Sequence, residues 1–359
     1  MTDARDAVRM DEALALARRG WGQTAPNPLV GAVLYKDDVK IAEGFHARFG
    51  EAHAEAAAIA SAGERARGST LYVTLEPCAH HGKTPPCTDA IIAAGIARVV
   101  VATSDPNPAA KGGADRLRSA GVAVDMGIRQ HEARELNAAF FNATQSDRPW
   151  VTLKLALSLD GAIAGAERLR GWLTGEESRA EVQRMRAASD AIAIGVQTAL
   201  ADNPQLTART NPPPRVQPLR VVFDRSARLS SQNVLVRTAR EVPTVVVTTA
   251  STRMPADLEQ AGVEQIAAED LTAALRQLRQ RGVLSLMVEG GAGLAASFLA
   301  GAHVDRLTIF RAPVILGTGA LGAFSGIAAQ EIEHAPRFTL LETRALGDDV
   351  MSVYRVGDR

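Results

Sequence analysis

Apolar and polar residues fall in alternating blocks along the chain, switching between the two-residue period of strands and the longer period of helices. Asp6 to Arg19 carries Met10, Ala13, Leu14 and Ala17 at helical spacing and meets a stop at Gly20. Leu29–Lys36 and Lys40–His46 read as a strand pair around the polar turn Lys36-Asp37-Asp38. The alanine-rich stretch from 52 to 66 predicts a helix beginning near His53. Ser69–Pro77, Ala97–Asp105 and Val122–Gly127 read as further strands, separated by short helical stretches. Such alternation predicts an α/β layer structure with a largely parallel sheet.

The polar segment Asn142–Trp150 interrupts this series and is the best linker, which predicts domains at 1–146 and 147–359. Beyond it the alternation resumes. Strands are expected at Trp150–Ser158, Ala191–Gly195, Leu219–Asp224, Thr244–Thr249, Leu284–Gly291 and Arg306–Leu316. Helical patterns occupy Glu176–Ala188, Asp270–Arg281 and Ala292–Ala300, and Thr207–Pro218 is a proline-rich loop inside the second domain.

Composition agrees with two cores. A chain of 359 residues is longer than one core usually grows, and 46% of it is apolar. Forty basic residues balance forty acidic ones, which removes the usual electrostatic signature of a nucleic-acid binder. Neither a signal peptide nor an 18-residue apolar run is present, so a soluble, cytoplasmic protein without a membrane partner is expected. In a reducing compartment a Cys78–Cys87 disulfide is not expected to persist.

Those two cysteines are the only ones in the chain, and they lie close together. Thiolates and imidazoles are what zinc prefers, and a catalytic zinc site keeps one position open for water. His53 opens the alanine-rich helix in the sequence His53-Ala54-Glu55, with Glu55 placed to serve the open position. The zinc-deaminase signature is H-x-E followed by P-C-x-x-C. This chain matches H-x-E and Pro77-Cys78, with Cys87 displaced by a six-residue expansion. The competing readings are a structural zinc site and two buried free thiols. His80 and His81 compete with His53 as ligands, but only His53 brings a paired glutamate. The predicted chemistry is hydrolytic deamination: zinc lowers the pKa of water towards neutrality, and Glu55 carries protons to the ring nitrogen and the departing amine.

Asn27–Val33 (NPLVGAV), Glu43–His46 (EGFH), His53–Glu55, Thr74–Cys87 (TLEPCAHHGKTPPC) and Ser104–Pro108 (SDPNP) occur in order. Together they resemble the deaminase half of the bifunctional riboflavin-biosynthesis deaminase–reductases. Leu153–Ala164, Trp172–Gly175, Thr198–Arg209 and Val288–Leu299 resemble the reductase half. The resemblance implies a cytidine-deaminase-like three-layer α/β/α domain followed by a dihydrofolate-reductase-like α/β domain. It also implies two steps. A phosphoribosylaminopyrimidine loses its ring amino group with the help of Zn2+, and NADPH then reduces its ribosyl side chain to ribityl. Assembly into a dimer or tetramer is expected. By motif, Asn27, His46, Lys83, Asp105 and Asn107 contact the first substrate. Lys83 suits a phosphate as a point charge and equally suits an ordinary solvated surface.

Two departures from the pattern stand out. The segment from Asp105 to Leu117 is one residue short, which puts contacts around Lys111–Gly113 in doubt. Arg168-Leu169-Arg170 replaces an expected Gly-Glu-Ser stretch before Trp172, with Arg170 a substitute phosphate contact.

For the cofactor, Gly290-Gly291-Ala292-Gly293 follows a strand and precedes a helix, as a phosphate-cradling turn should. It is not G-x-G-x-x-G, and a tight turn requiring glycine conformations is the competing reading. The resemblance adds Ala156, Trp172, Thr198 and Asp202 as cofactor contacts. It gives Arg186, Leu206 and Arg209 to the reductase substrate; Lys154 and Glu289, by their chemistry, and Arg170, where the chain departs from the pattern, are further candidates. Glu289 equally reads as a helix cap. Rival functions are a nucleic-acid or nucleoside base deaminase with an appended nucleotide-binding domain, and a non-catalytic metal- and nucleotide-binding regulator.

Overall fold

The computed structural model describes residues 4–357 apart from 81–84, 109, 168–170 and 329–330. The chain divides into two compact units, Met1–Gln145 and Ser146–Arg359.

Unit 1 runs α1 (Ala4–Ala17), β1 (Gly31–Lys36), β2 (Val39–Phe45), α2 (Ala54–Ala62), β3 (Thr70–Val73), α3 (Cys87–Ala93), β4 (Arg98–Val101), α4 (Gly113–Ser119), β5 (Ala123–Met126), α5 (Gln130–Leu136) and α6 (Ala138–Ala143). The five-stranded sheet has the order β2-β1-β3-β4-β5. β3, β4 and β5 are parallel, whereas β1 is antiparallel to both β2 and β3. The sheet is therefore mixed rather than largely parallel: the short turn after Lys36 returns the chain as a hairpin, which a parallel pairing cannot do.

Alternate residues of each strand face opposite layers. Leu34, Leu71, Val73, Val99 and Val101 pack with α2, α3 and α4 on one side. Val33, Tyr72 and Val100 pack with α1 and α5 on the other. Helix α2 lies unusually close to the sheet. It buries Ala54, Ala58 and Ala62, and a Cβ on Gly44 of β2 would sit only 2.5 Å from Ala54 O and Ala58 N. Alanine on the helix and glycine on the strand bring the helix start, and hence His53, down onto the end of the sheet.

Unit 2 contributes β6 (Trp150–Leu157), β7 (Ala162–Ala164), α7 (Glu176–Ala187), β8 (Ala191–Gly195), α8 (Val196–Asp202), β9 (Leu219–Phe223), α9 (Val234–Arg237), β10 (Thr244–Thr249), α10 (Ala256–Gln260), β11 (Glu264–Ala268), α11 (Leu271–Gln280), β12 (Ser285–Val288), α12 (Ala292–Ala300), β13 (Arg306–Arg311), β14 (Leu321–Gly322), β15 (Phe338–Leu346) and β16 (Asp349–Val356). Nine strands form one sheet in the order β11-β10-β9-β8-β12-β6-β13-β16-β15. The first seven in that order are parallel, and β16 and β15 close the edge as an antiparallel hairpin. Helices α11 and α12 cover one face, and α8, α9 and α10 cover part of the other. The strand expected over Arg306–Leu316 ends at Arg311. There Ala312 N donates to Leu157 O and the chain turns away at Pro313.

Because β9, β10 and β11 are laid down to one side of β8 and β12, β6 and β13 to the other, the strand order reverses at β8. In open α/β sheets the crevice at such a reversal, beyond the carboxyl ends of the strands, is where ligands bind.

Candidate active sites

In unit 1, His53 is the N-cap of α2, with extended backbone at φ −70° and ψ 159°. Cys78 follows β3, and Cys87 is the first residue of α3. The loop between the cysteines is closed by Cys87 N donating to Cys78 Sγ (3.3 Å) and Thr88 N donating to Cys78 O (3.3 Å). His53 Nδ1 lies 3.2 Å from Cys87 Sγ and 3.7 Å from Cys78 Sγ, and the three ligand atoms lie within 4.8 Å of one another. A tetrahedral zinc ion with bonds of ~2.0–2.3 Å holds its ligand atoms roughly 3.3–3.8 Å apart, so this donor set fits one. Among the described residues this is the group of histidine, cysteine or acidic side chains able to hold a metal. It contains His53 and not His80, which is exposed. His81 and Lys83 lie outside the described residues.

The thiols interact strongly. A hydrogen bond from Cys87, aided by His53, brings the Cys78 pKa down to about 4, and the same bond together with burial pushes that of Cys87 up. The bond to Cys78 raises the His53 pKa against its burial. Glu55, one residue into α2, is buried, and loss of solvent raises its pKa. A carboxyl tuned in that direction exchanges protons more readily near neutrality.

Asn27 and His46 flank the cluster. His46 is buried, and its ring sits edge-on to His53 at 5.6 Å between centroids. Burial lowers the His46 pKa, keeping the ring neutral. Its Nδ1 donates to Ala52 O (3.1 Å), so Nε2 accepts from Asn27 Nδ2 (3.1 Å). Asp105, also buried, accepts at Oδ1 from Asn107 N (2.8 Å), and burial raises its pKa. Glu76 was not singled out from the sequence. It is buried and accepts from the backbone amides of Asp105 (3.3 Å) and Ala114 (3.0 Å). The signal available was a charged residue closing an apolar strand run just before Pro77-Cys78.

In unit 2, Glu289, Arg186, Lys154 and Thr198 come together near the carboxyl ends of the adjacent strands β8, β12 and β6, whereas among the described residues no contact ties Trp172 to them. Glu289 follows β12, its N–H donating to Ala193 O (2.9 Å). Its carboxylate takes the Arg186 fork, Nε to Oε1 at 2.5 Å and Nη2 to Oε2 at 2.9 Å. Burial opposes its charge, but Arg186, with Lys154 and Arg209, holds its pKa below the usual value. Lys154, on β6, has its own pKa lowered by burial, and its ammonium sits 5.9 Å from the centre of the Phe310 ring. The long-range pair Arg186–Glu289, 103 residues apart, has no local sequence signature.

Gly290 to Gly293 form the turn into α12, and Thr198 of α8 approaches it. A Cβ on Gly291 would lie 3.4 Å from Thr198 Oγ1, and one on Gly293 would meet nothing within 4 Å. Asp202 ends α8, and Ala156 lies half-buried on β6 opposite Phe310 of β13. Leu206 is buried with φ 51°, in the left-handed region that β-carbon-bearing residues rarely occupy. Arg209 is exposed, its Nη1 donating to Gln205 Oε1 and Thr207 Oγ1 (3.2 Å each). Trp172 is 79% exposed and carries the Arg179 guanidinium 5.3 Å from its ring centre, so it is not a core tryptophan. Arg170 lies outside the described residues.

Comparison with known proteins agrees on both units. Residues 4–103 match the cytidine and deoxycytidylate deaminase zinc-binding region, and residues 149–352 match the RibD C-terminal domain. The riboflavin biosynthesis protein RibD of Aquifex aeolicus is 40% identical over 353 residues, 98% of each chain. That of Escherichia coli is 39% identical over 96% of this chain and 98% of its own. A solved RibD structure from Acinetobacter baumannii superposes with a TM-score of 0.85 at 37% identity, covering 99% of both chains. A Thermotoga maritima structure described as a diaminohydroxyphosphoribosylaminopyrimidine deaminase/5-amino-6-(5-phosphoribosylamino)uracil reductase gives 0.85 at 37% identity, over 98% of this chain and 99% of that one. With both halves matched together over essentially the full length, the chain belongs to the RibD family of bifunctional deaminase–reductases of riboflavin biosynthesis.

Proposed function

We propose that unit 1 hydrolytically removes the 2-amino group of 2,5-diamino-6-(5-phosphoribosylamino)pyrimidin-4-one, and that unit 2 reduces the ribosyl side chain of the product to ribityl. The observation that carries the first half is the His53, Cys78 and Cys87 donor set with buried Glu55 beside it. A zinc ion held by those three residues supplies the acidity that makes water a nucleophile at neutral pH. Glu55 takes the proton of the attacking water and passes it to the ring nitrogen. It then takes the remaining proton from the newly added oxygen and delivers it to the departing amine, so that this oxygen becomes a ring carbonyl and ammonia leaves. Asn27, oriented by neutral His46, and the Asp105–Asn107 segment hold the pyrimidine and its arm.

In unit 2 the turn Gly290–Gly293, with Thr198, Asp202, Ala156 and Trp172, receives NADPH, which supplies the hydride. Lys154 supplies the proton that the opened sugar gains, and ionised Glu289 acts on the Lys154 charge. Among the described residues, the Arg186 fork is taken by Glu289, which leaves exposed Arg209, with Leu206 beside it, to meet the substrate phosphate. The reading places the enzyme in the cytoplasm, where Cys78 and Cys87 stay reduced.

Glu55→Gln tests the assignment. Zinc content should stay at the wild-type level while deamination falls about 10²–10⁴-fold, and NADPH oxidation on already deaminated substrate should be unchanged. Loss of the reductase step along with deamination would refute the separation of the two activities.

A further inference from the structure

One buried carboxylate near the zinc-ligand set takes no part in the proposed chemistry. Glu76 stands two residues before Cys78, just past the end of β3. Its N–H donates to Thr103 O (2.9 Å), carrying the parallel β3–β4 pairing beyond the strand ends. Its two oxygens then divide between two other backbone amides. Oε2 accepts from Asp105 N (3.3 Å), and Oε1 accepts from Ala114 N (3.0 Å) in the first turn of α4. Those two amides bound the stretch that carries Asp105 and Asn107, the same stretch that is one residue short of the family pattern.

A second contact locks the same junction. Gly113 packs so closely on Pro77 that a Cβ there would lie 1.8 Å from Pro77 O, a separation no side chain can tolerate. The loop is thereby fastened at both ends to Glu76 and Pro77, the two residues immediately before Cys78. Within the loop, Asp105 accepts from Asn107 N, so its orientation passes to Asn107. A buried carboxylate is costly unless donors satisfy it, and here backbone amides of the loop are those donors.

We propose that Glu76 is a positioning residue of the deaminase site, setting the distance between the Pro77-Cys78 segment and the substrate-holding segment Asp105–Asn107. The proposal rests on the assignment of unit 1 as the deaminase. Glu76 touches neither metal nor substrate; it acts on binding through the loop. Replacing one of its oxygens with an amide nitrogen sets a donor against a donor and frees one end of the loop.

The test is Glu76→Gln in the full-length enzyme, measured for deamination kinetics on the diaminopyrimidine ribotide, for zinc content and for the reductase step. KM should rise about tenfold, the weight of one buried bond to a charged acceptor. Turnover should stay within about twofold, with zinc content and reduction unchanged. Combined with Asn107→Ala, it should raise KM less than the product of the two single effects, because both act through one loop. An unchanged KM, or turnover lost together with zinc, would overturn the proposal. If E76Q does not fold, Glu76→Asp draws the charge back by one methylene and is read by the same outcomes. Failure of both variants to fold would assign Glu76 to stability alone and overturn it equally. A wild-type enzyme that does not deaminate the ribotide would instead overturn the deaminase assignment itself.

Discussion

Glu289 carries a charge that burial alone would remove. Its folded pKa lies below the 4.5 of an unperturbed glutamate because Arg186 grips both oxygens. The folded state therefore binds this proton less readily than the unfolded chain. The stability it contributes is complete above about pH 4.5 and drains away as pH falls through the lower, folded value. Glu289→Gln should cost about 3 kcal/mol near neutrality by leaving the Arg186 charge buried without its partner. It should also flatten the acid limb of the stability curve below pH 4.5, read by urea midpoints across pH for wild type and variant. An unchanged acid limb would mean that the pair is not formed in solution. At this scale the candidate metal-binding set was readable, because His53, Cys78 and Cys87 announce themselves by type and spacing, and Glu55 by its pairing with His53. The Arg186–Glu289 pair was not, since the sheet and not the local sequence brings its members together. The Glu76 contacts were hidden likewise, because backbone amides leave no mark in a sequence.

The turn from β12 into α12 is the clearest case of an element whose glycines have two competing explanations. Among the described residues, the glycines with positive φ do not include Gly290, Gly291 or Gly293. Gly291 has extended backbone at φ −72° and ψ 174°, which any residue adopts. Conformation therefore does not demand glycine there. At Gly290 close packing favours glycine, since a Cβ would lie 3.2 Å from Leu294 Cβ and 3.4 Å from Ala295 N; at Gly291 and Gly293 glycine leaves backbone that a ligand can approach, which supports the proposed nucleotide assignment. Gly291→Val should leave folding and deamination intact, because the backbone accepts it. It should raise KM for NADPH by about tenfold or more, because branched methyls fill the approach beside Thr198. Steady-state kinetics at varied NADPH decides it, and an unchanged KM would return the glycines to a purely local role. Elements with strong apolar runs, such as β6, β9 and β10, were legible from the sequence. The hairpin of β15 and β16 was not anticipated. β15 is an edge strand exposed over most of its length, with Thr339, Leu340, Glu342, Thr343 and Arg344 in solvent, so burial imposes little alternation on it. β11, short and polar at its start, was missed for a related reason.

At the scale of the whole molecule, the balanced charge and the two alternating series pointed to a two-part protein acting on a small molecule. The β1–β2 pair was read from its polar turn, but the antiparallel placement of β1 beside β3 was beyond reach, because periodicity identifies strands but not distant neighbours. A base deaminase with an unrelated appended domain would match relatives in one half only. Here, relatives match across 96–98% of the chain. Among the described residues no helix is long and apolar enough to cross a membrane. The central claim is that one chain performs hydrolysis first and reduction second on the same ribotide. The direct measurement supplies the diaminopyrimidine ribotide to the purified enzyme with and without NADPH and follows products by mass. Without NADPH the account predicts a released intermediate that has exchanged one amino group for oxygen; with NADPH it predicts the same exchange plus two added hydrogens. Reduction of the side chain while the amino group is still in place, or no turnover until NADPH is added, would contradict it.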